Sequence, residues 1–146
     1  FDFLDWKMDK KLKSEISVGK NGKEKIILLK PQTFMNLSGE AISTAKKYYK
    51  LKLEDIFIVH DDIDLPLGKY KFSTNSSSAG HNGVQNIIHL LGTKDFTRLR
   101  IGIDNRGDKK ITTEKYVLGK FTETEMKVIS RTLPNISDNI IKTIAT

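Results

Sequence analysis

Apolar positions in this chain recur at two periods, and the change from one to the other marks out its elements. Phe1-Asp2-Phe3-Leu4-Asp5-Trp6 reads as the tail of an amphipathic helix, with Phe1, Leu4 and Trp6 on its buried side. Residues 15–30 read as two strands joined at Gly19-Lys20-Asn21-Gly22, because Asn-Gly adopts the positive φ angles of a tight turn. The second of them, Lys25-Ile26-Ile27-Leu28-Leu29, is a continuous apolar run, the pattern of a strand covered on both faces. Ala41, Ile42, Ala45 and Tyr48 have helical spacing, in a helix that Asn36 or Ser38 can cap and that runs to about Tyr49. Ile56-Phe57-Ile58-Val59 reads as another fully buried strand, ending at His60-Asp61-Asp62 ahead of the turn residues Pro66 and Gly68.

Residues 69–73 alternate as an exposed or edge strand, and Asn75-Ser76-Ser77-Ser78 is a polar loop before a helix over 83–91. Residues 98–103 then alternate, basic side against apolar side. A charged loop over 104–110 leads to Tyr116-Val117-Leu118, and a helix starts near Thr122 that Pro134 is expected to break or kink. Strands alternating with helices, without internal repeats or a linker, predict an α/β fold. The expected form is a single domain with a twisted mixed sheet flanked by helices on both faces.

Composition narrows this picture only a little. A chain of 146 residues, 38% hydrophobic and 29% charged, is ordinary for one globular domain. No apolar stretch approaches the roughly 20 residues that span a bilayer, and no secretory pattern is visible. Without cysteine there is no disulfide, thiol nucleophile or Cys-type zinc site, which suits a reducing, cytoplasmic setting. The net charge of +7 favours a polyanionic partner, nucleic acid first, although a lysine-rich proteome produces the same number. The first residue is Phe1 and not methionine, so an upstream segment is expected to have been cut off, processed or left out.

The candidate chemistry centres on Ala79-Gly80-His81-Asn82-Gly83, a glycine-flanked loop feeding the first turn of a helix, where unpaired N–H groups can meet a negative ligand. Asp61 stands at the carboxyl end of an apolar strand, the edge where open α/β sheets bind ligands. A carboxylate there can orient a histidine and stabilise its protonated form; several acids in a row also read as a solvated loop. Strand alternation turns His60 and Asp61 to opposite faces, so His60 reads as a packed, hydrogen-bonded histidine. Asn82 and Asn36 each double as helix caps, and His89 reads as structural. Arg98 and Arg100 share a strand face, with Lys69-Tyr70-Lys71 alongside if the strands are neighbours. That strip either grips phosphates or is a solvated sheet face. Neither metal-ligand spacing nor a dinucleotide or phosphate-loop fingerprint is present, so no metal and no cofactor is expected.

Five blocks add a resemblance. They are Pro31-Gln32-Thr33-Phe34-Met35-Asn36-Leu37-Ser38-Gly39, His60-Asp61-Asp62-Ile63-Asp64-Leu65-Pro66-Leu67-Gly68, Gly80-His81-Asn82-Gly83, Phe96-Thr97-Arg98-Leu99-Arg100-Ile101-Gly102-Ile103 and Tyr116-Val117-Leu118-Gly119. In this order they resemble the bacterial-type peptidyl-tRNA hydrolase family, over most of the chain. The resemblance implies that family's fold and the cleavage of the ester joining a peptide to tRNA, by a cytoplasmic monomer. It implies that Asp61 steadies the catalytic histidine. Asn36 and Asn82 hold substrate and attacking water, His81 assists beside Asn82, and Phe34, Met35 and Gly80 line the substrate. Lys71, Arg98 and Arg100 are the implied phosphate contacts, which carry charge but no sequence information.

The match also has departures. The family's catalytic histidine, in a His-Asn-x-Gly motif, and its first strand are expected upstream of Phe1, so the 146 residues alone are expected to be nearly inactive. The family's C-terminal helix is expected to lie beyond the chain as well. Ser76-Ser77-Ser78-Ala79 replaces a glycine-rich loop, and Ser73 stands where a basic residue is common, which puts part of the phosphate grip in doubt. Two further classes remain open on the residues. A non-catalytic RNA-binding relative would not require Asn36, Asp61, His81 and Asn82 together, and an esterase or nuclease for small substrates leaves the basic strip unexplained.

Overall fold

Strand pairing in the first half of the chain is organised by one glycine. Strands β3 (Ser14–Asn21) and β4 (Glu24–Pro31) form an antiparallel hairpin with Asn21 opposite Glu24. Gly22 opens the two-residue turn at φ +60, with Lys23 at negative φ, which is the geometry of a type II′ turn. The hairpin is the expected one, with its turn two residues later than the Gly19-to-Gly22 block suggests.

The structure is a computed structural model that describes residues 1–144. The chain divides into two compact units, one of Phe1–Ile56 with Thr74–Phe96 and the other of Phe57–Ser73 with the residues from Thr97 onward. In the first unit β3 is central. Its free side carries β1 (Asp2–Phe3) and β2 (Lys7–Asp9), both antiparallel to it. Phe1 to Trp6 is therefore extended and not the end of a helix; the Leu4 N–H donates to the Val18 carbonyl at 2.9 Å. Six residues are too few for helical spacing to outweigh a ready strand partner. The apolar run in β4 is not covered on both faces either, since none of its residues is buried.

Helix α1 (Ser38–Tyr49) follows a single 3-10 turn, Met35–Leu37, and buries Ala41 and Ala45 as expected. Helix α2 (Asn82–Leu91) buries Val84 and Ile87 and ends at Gly92 with φ +71. These two helices pack on each other within the unit.

The second unit is built on a parallel pair. Strand β5 (Phe57–Pro66) lies beside β7 (Thr97–Asp104), with Phe57 opposite Thr97 and Asp62 opposite Gly102. Strand β6 (Tyr70–Thr74) flanks β7 on its other side. The run over 56–59 is only partly buried, since Val59 is 49% exposed. Helix α3 (Thr113–Leu118) is anchored by the Tyr116 hydroxyl, which donates to the Ile103 carbonyl at 2.7 Å.

Helix α4 (Glu123–Ile144) starts where a capping box sets it. The Thr122 hydroxyl accepts the Glu125 N–H, and the Glu125 carboxylate accepts the Thr122 N–H, both at 3.2 Å. Of the expected break or kink at Pro134, the break does not occur: the helix runs through that residue. Ile129, Thr132, Leu133 and Ile136 face Gly68, Ile101 and Gly102 across a narrow gap.

The fold is α/β, as the alternation of elements predicts. Its strands lie in two sheets, one antiparallel and one containing the parallel pair, where the pattern alone predicts one mixed sheet. Apolar periodicity identifies strands but not their partners.

Gly102 is the tightest backbone contact in the second sheet. A Cβ there would fall on the Pro66 carbonyl oxygen and lie 2.8 and 2.9 Å from those of Leu65 and Lys69, none of which can move aside alone. Gly102→Ala is expected to cost about 3 kcal/mol in urea unfolding, at the upper end of the usual range for overpacking. A loss under about 0.5 kcal/mol, the range of a surface change, would contradict this packing.

Candidate active-site residues

In the first unit the site residues come from two segments held together by small side chains. The 3-10 turn forms as the Leu37 N–H bonds the Phe34 carbonyl at 2.9 Å and the Ser38 hydroxyl donates to the Met35 carbonyl at 2.7 Å. The turn holds Phe34 81% and Met35 58% exposed. Neither Asn36 nor Ser38 caps α1. The Asn86 side chain of α2 does so from outside, accepting the Gly39 N–H at 2.8 Å. A Cβ on Gly39 would lie 2.6 Å from the Asn86 carbonyl oxygen, and one on Gly83 would lie 2.5 Å from Met35 Sδ and 3.1 Å from His81 Cε1. One glycine on each helix thus lets Met35, His81 and the start of α2 meet.

Sequence reasoning missed Gly39 and Asn86. The available signal was a polar residue inside the apolar run 84–91, at a position that a buried helix face would fill with an aliphatic side chain.

The loop ahead of α2 turns sharply. Asn75 and Ala79 have φ +55 and +48 and Gly80 +85, and the His81 N–H closes on the Ser78 carbonyl at 3.0 Å. A Cβ at Gly80 would meet nothing within 4 Å, so the backbone there is open to an approaching chain. The residue that caps α2 is His81 and not Asn82: its Nδ1 accepts the Val84 N–H at 3.2 Å. That bond makes Nδ1 the acceptor and Nε2 the donor nitrogen of the ring in its neutral form. Asn82 is the first residue of α2, with its amide exposed, and Asn36 is exposed likewise. His89 is exposed near the end of α2.

In the second unit Asp61 does not end its strand. It sits half-buried in the middle of β5, opposite Ile101, because the ladder with β7 continues through the acidic residues. Register places Ile58, His60 and Asp62 on the same face as Arg98 and Arg100, and alternation turns the Asp61 side chain to the other. His60 Nδ1 lies 2.7 Å from the Asp61 carbonyl oxygen, and its Nε2 lies 3.5 Å from Arg98 Nη1.

The basic strip divides into three environments. Arg98 is 2% exposed, and burial pushes its guanidinium below the ordinary value, with Arg100 acting in the same direction and Asp62 opposing. Arg100 Nε donates to the buried Asp62 at 2.6 Å, and its Nη1 donates to Ser73 Oγ at 3.4 Å. Lys71 alone of the three is exposed on β6. Arg98 and Arg100 do share a face, but it is not the solvated one that simple alternation suggests. Among the described residues no cluster of His, Cys, Asp or Glu could hold a metal ion, and no helix is long and apolar enough to cross a membrane.

A family model described as peptidyl-tRNA hydrolase matches residues 3–146. The peptidyl-tRNA hydrolase of Caldanaerobacter subterraneus subsp. tengcongensis is 46% identical over 131 residues, 90% of this chain and 70% of that protein. That of Prochlorococcus marinus is 46% identical over 143 residues, 95% and 68% of the respective lengths. A crystal structure of a peptidyl-tRNA hydrolase with N-propanol superposes with a TM-score of 0.85 at 29% identity, over 97% of this chain and 71% of that one. The Acinetobacter baumannii enzyme superposes with a TM-score of 0.77 at 28% identity, over 97% and 75%. These matches lend no support to the expectation that the 146 residues are inactive by themselves. They do agree with the order of motifs and with the α/β fold, and the chain belongs to the peptidyl-tRNA hydrolase family.

Proposed function

We propose that the protein hydrolyses the ester between peptide and tRNA in peptidyl-tRNA, acting as a cytoplasmic monomer that returns tRNA from aborted translation. The observation that carries this reading is the start of α2. There an exposed amide, Asn82, follows a histidine whose Nδ1 caps the helix and whose Nε2 carries the proton, beside a glycine over which Met35 is packed. An RNA-binding relative without catalysis would need none of these features, and family membership does not favour it.

An ester has a tolerable leaving group, so one base activating water is sufficient when donors await the developing oxyanion. In this reading Asn36 and Asn82 hold substrate and water, and His81 donates from Nε2. Gly80 gives the peptide backbone room, and Phe34 and Met35 form the apolar wall. Asp61 stabilises the protonated form of the base. The base itself is a further histidine: His81 spends Nδ1 on the helix cap, and the two nitrogens of His60 face the Asp61 carbonyl and Arg98. For the tRNA, Lys71 presents its charge to the phosphate backbone and Arg100 adds a partly exposed one, with Arg98 supporting the strip from beneath.

Release of an N-blocked aminoacyl group from tRNA tests the reaction. In the full chain Asp61→Ala and Asn82→Ala are each expected to slow it by about 10²-fold or more, as loss of an oxyanion donor typically does. Unchanged rates in both would sink the assignment. For tRNA binding, Lys71→Ala is expected to lower the slope of log affinity against log salt by about 1. A slope that stays at the parent value would exclude Lys71 as a phosphate contact.

A further inference from the structure

We propose that His60 is a positioning residue for Asp61, itself held by the buried Arg98; the inference rests on Asp61 being the carboxylate that steadies the base. The Asp61 side chain and the His60 ring lie on opposite faces of β5, so they cannot pair directly. They are joined instead through the main chain, by the 2.7 Å contact of His60 Nδ1 with the carbonyl oxygen of Asp61 itself. A carbonyl oxygen only accepts, so Nδ1 carries the proton and Nε2 the lone pair. Arg98 only donates, and its Nη1 lies 3.5 Å from that lone pair. Every group in the series therefore has its required polarity: guanidinium to imidazole, imidazole to the peptide of the functional aspartate.

Burial explains why the series holds. Arg98 is 2% exposed, and a cation so placed must be met by acceptors, of which the His60 ring is one. The same face carries Arg100, paired with Asp62 at 2.6 Å, so two cations and a carboxylate share the His60 side of the sheet. The ring is thus fixed in one tautomer and one orientation, and it clamps the peptide from which the Asp61 carboxylate projects. Loss of the clamp frees rotation at that peptide, and misplacement of a catalytic group by about 1 Å can cost up to 10²-fold.

The experiment compares His60→Phe, His60→Gln and Asp61→Ala in the full chain, with kcat and KM measured on N-blocked aminoacyl-tRNA. His60→Phe is expected to lower kcat about 10-fold and leave KM unchanged, the signature of lost transition-state geometry. His60→Gln, which keeps an N–H donor, is expected to recover most of the loss. A residue that merely fills the sheet face would change the unfolding midpoint and not kcat per folded molecule. Parent kcat in His60→Phe together with a slow Asp61→Ala would overturn the positioning role and leave the proposed function standing. A fast Asp61→Ala would overturn the reading of Asp61 on which it rests. If His60→Phe fails to fold, ¹⁵N spectra of the histidines in the parent chain decide: His60 is expected in the Nδ1–H form, and an Nε2–H form would refute the series.

Discussion

Two helices can approach only as closely as the side chains between them permit, and in the first unit this limit is set by Gly39 and Gly83. Each faces a neighbour at a distance that any Cβ would violate: Gly39 the Asn86 carbonyl, Gly83 the sulfur of Met35. The approach lets Asn86 reach across and accept the Gly39 N–H, so α2 caps α1 and neither helix start is left without an acceptor. It also brings the exposed Met35 and Asn36 turn against the His81-Asn82 turn. Larger residues at either glycine would separate the two segments before they altered any group with chemistry of its own.

The second unit is constrained by charge. Asp62 and Arg98 are both buried on one sheet face, and Arg100 is mostly covered beside them. Buried charges persist only where donors and acceptors are matched, and here Arg100 serves Asp62 while the His60 ring faces Arg98. The strand residues that look most like a phosphate-binding strip are thus partly committed to keeping β5 and β7 in register. Solvent-facing charge on this unit falls to side chains such as Lys71.

Much of the fold could be read from the sequence, and the failures share a cause. The hairpin, α1, α2, β7 and the start of α4 follow from local signals: a glycine turn, helical spacing, alternation, a Thr-x-x-Glu box. Phe1 to Trp6, the cover of β4 and the burial of Arg98 depend on which element lies alongside, and no local pattern carries that information. The same division runs through the site. Its candidate residues stand in an ordered series of motifs, yet the capping role falls to His81 and not to Asn82. A side chain's local duty is decided by backbone geometry one residue at a time, whereas a motif is read in blocks. Gly39 and Asn86 escaped notice because their work is done across a helix contact.

The histidines show how hydrogen bonds settle what composition leaves open. His81 and His60 both stand beside candidate catalytic groups, and in the sequence only strand alternation speaks against His60 as a base. Their contacts speak against both. His81 uses Nδ1 as an acceptor for a helix N–H, and abstraction of a proton by that nitrogen would give up the cap. His60 donates from Nδ1 to a carbonyl and presents Nε2 to a guanidinium, where added positive charge would be opposed by Arg98 and Arg100. Each ring is more useful as a fixed donor than as a proton acceptor. A base that must gain and lose a proton in every turnover needs one nitrogen facing substrate and the other facing a carboxylate, and the His60 ring lies on the opposite face of β5 from the Asp61 side chain.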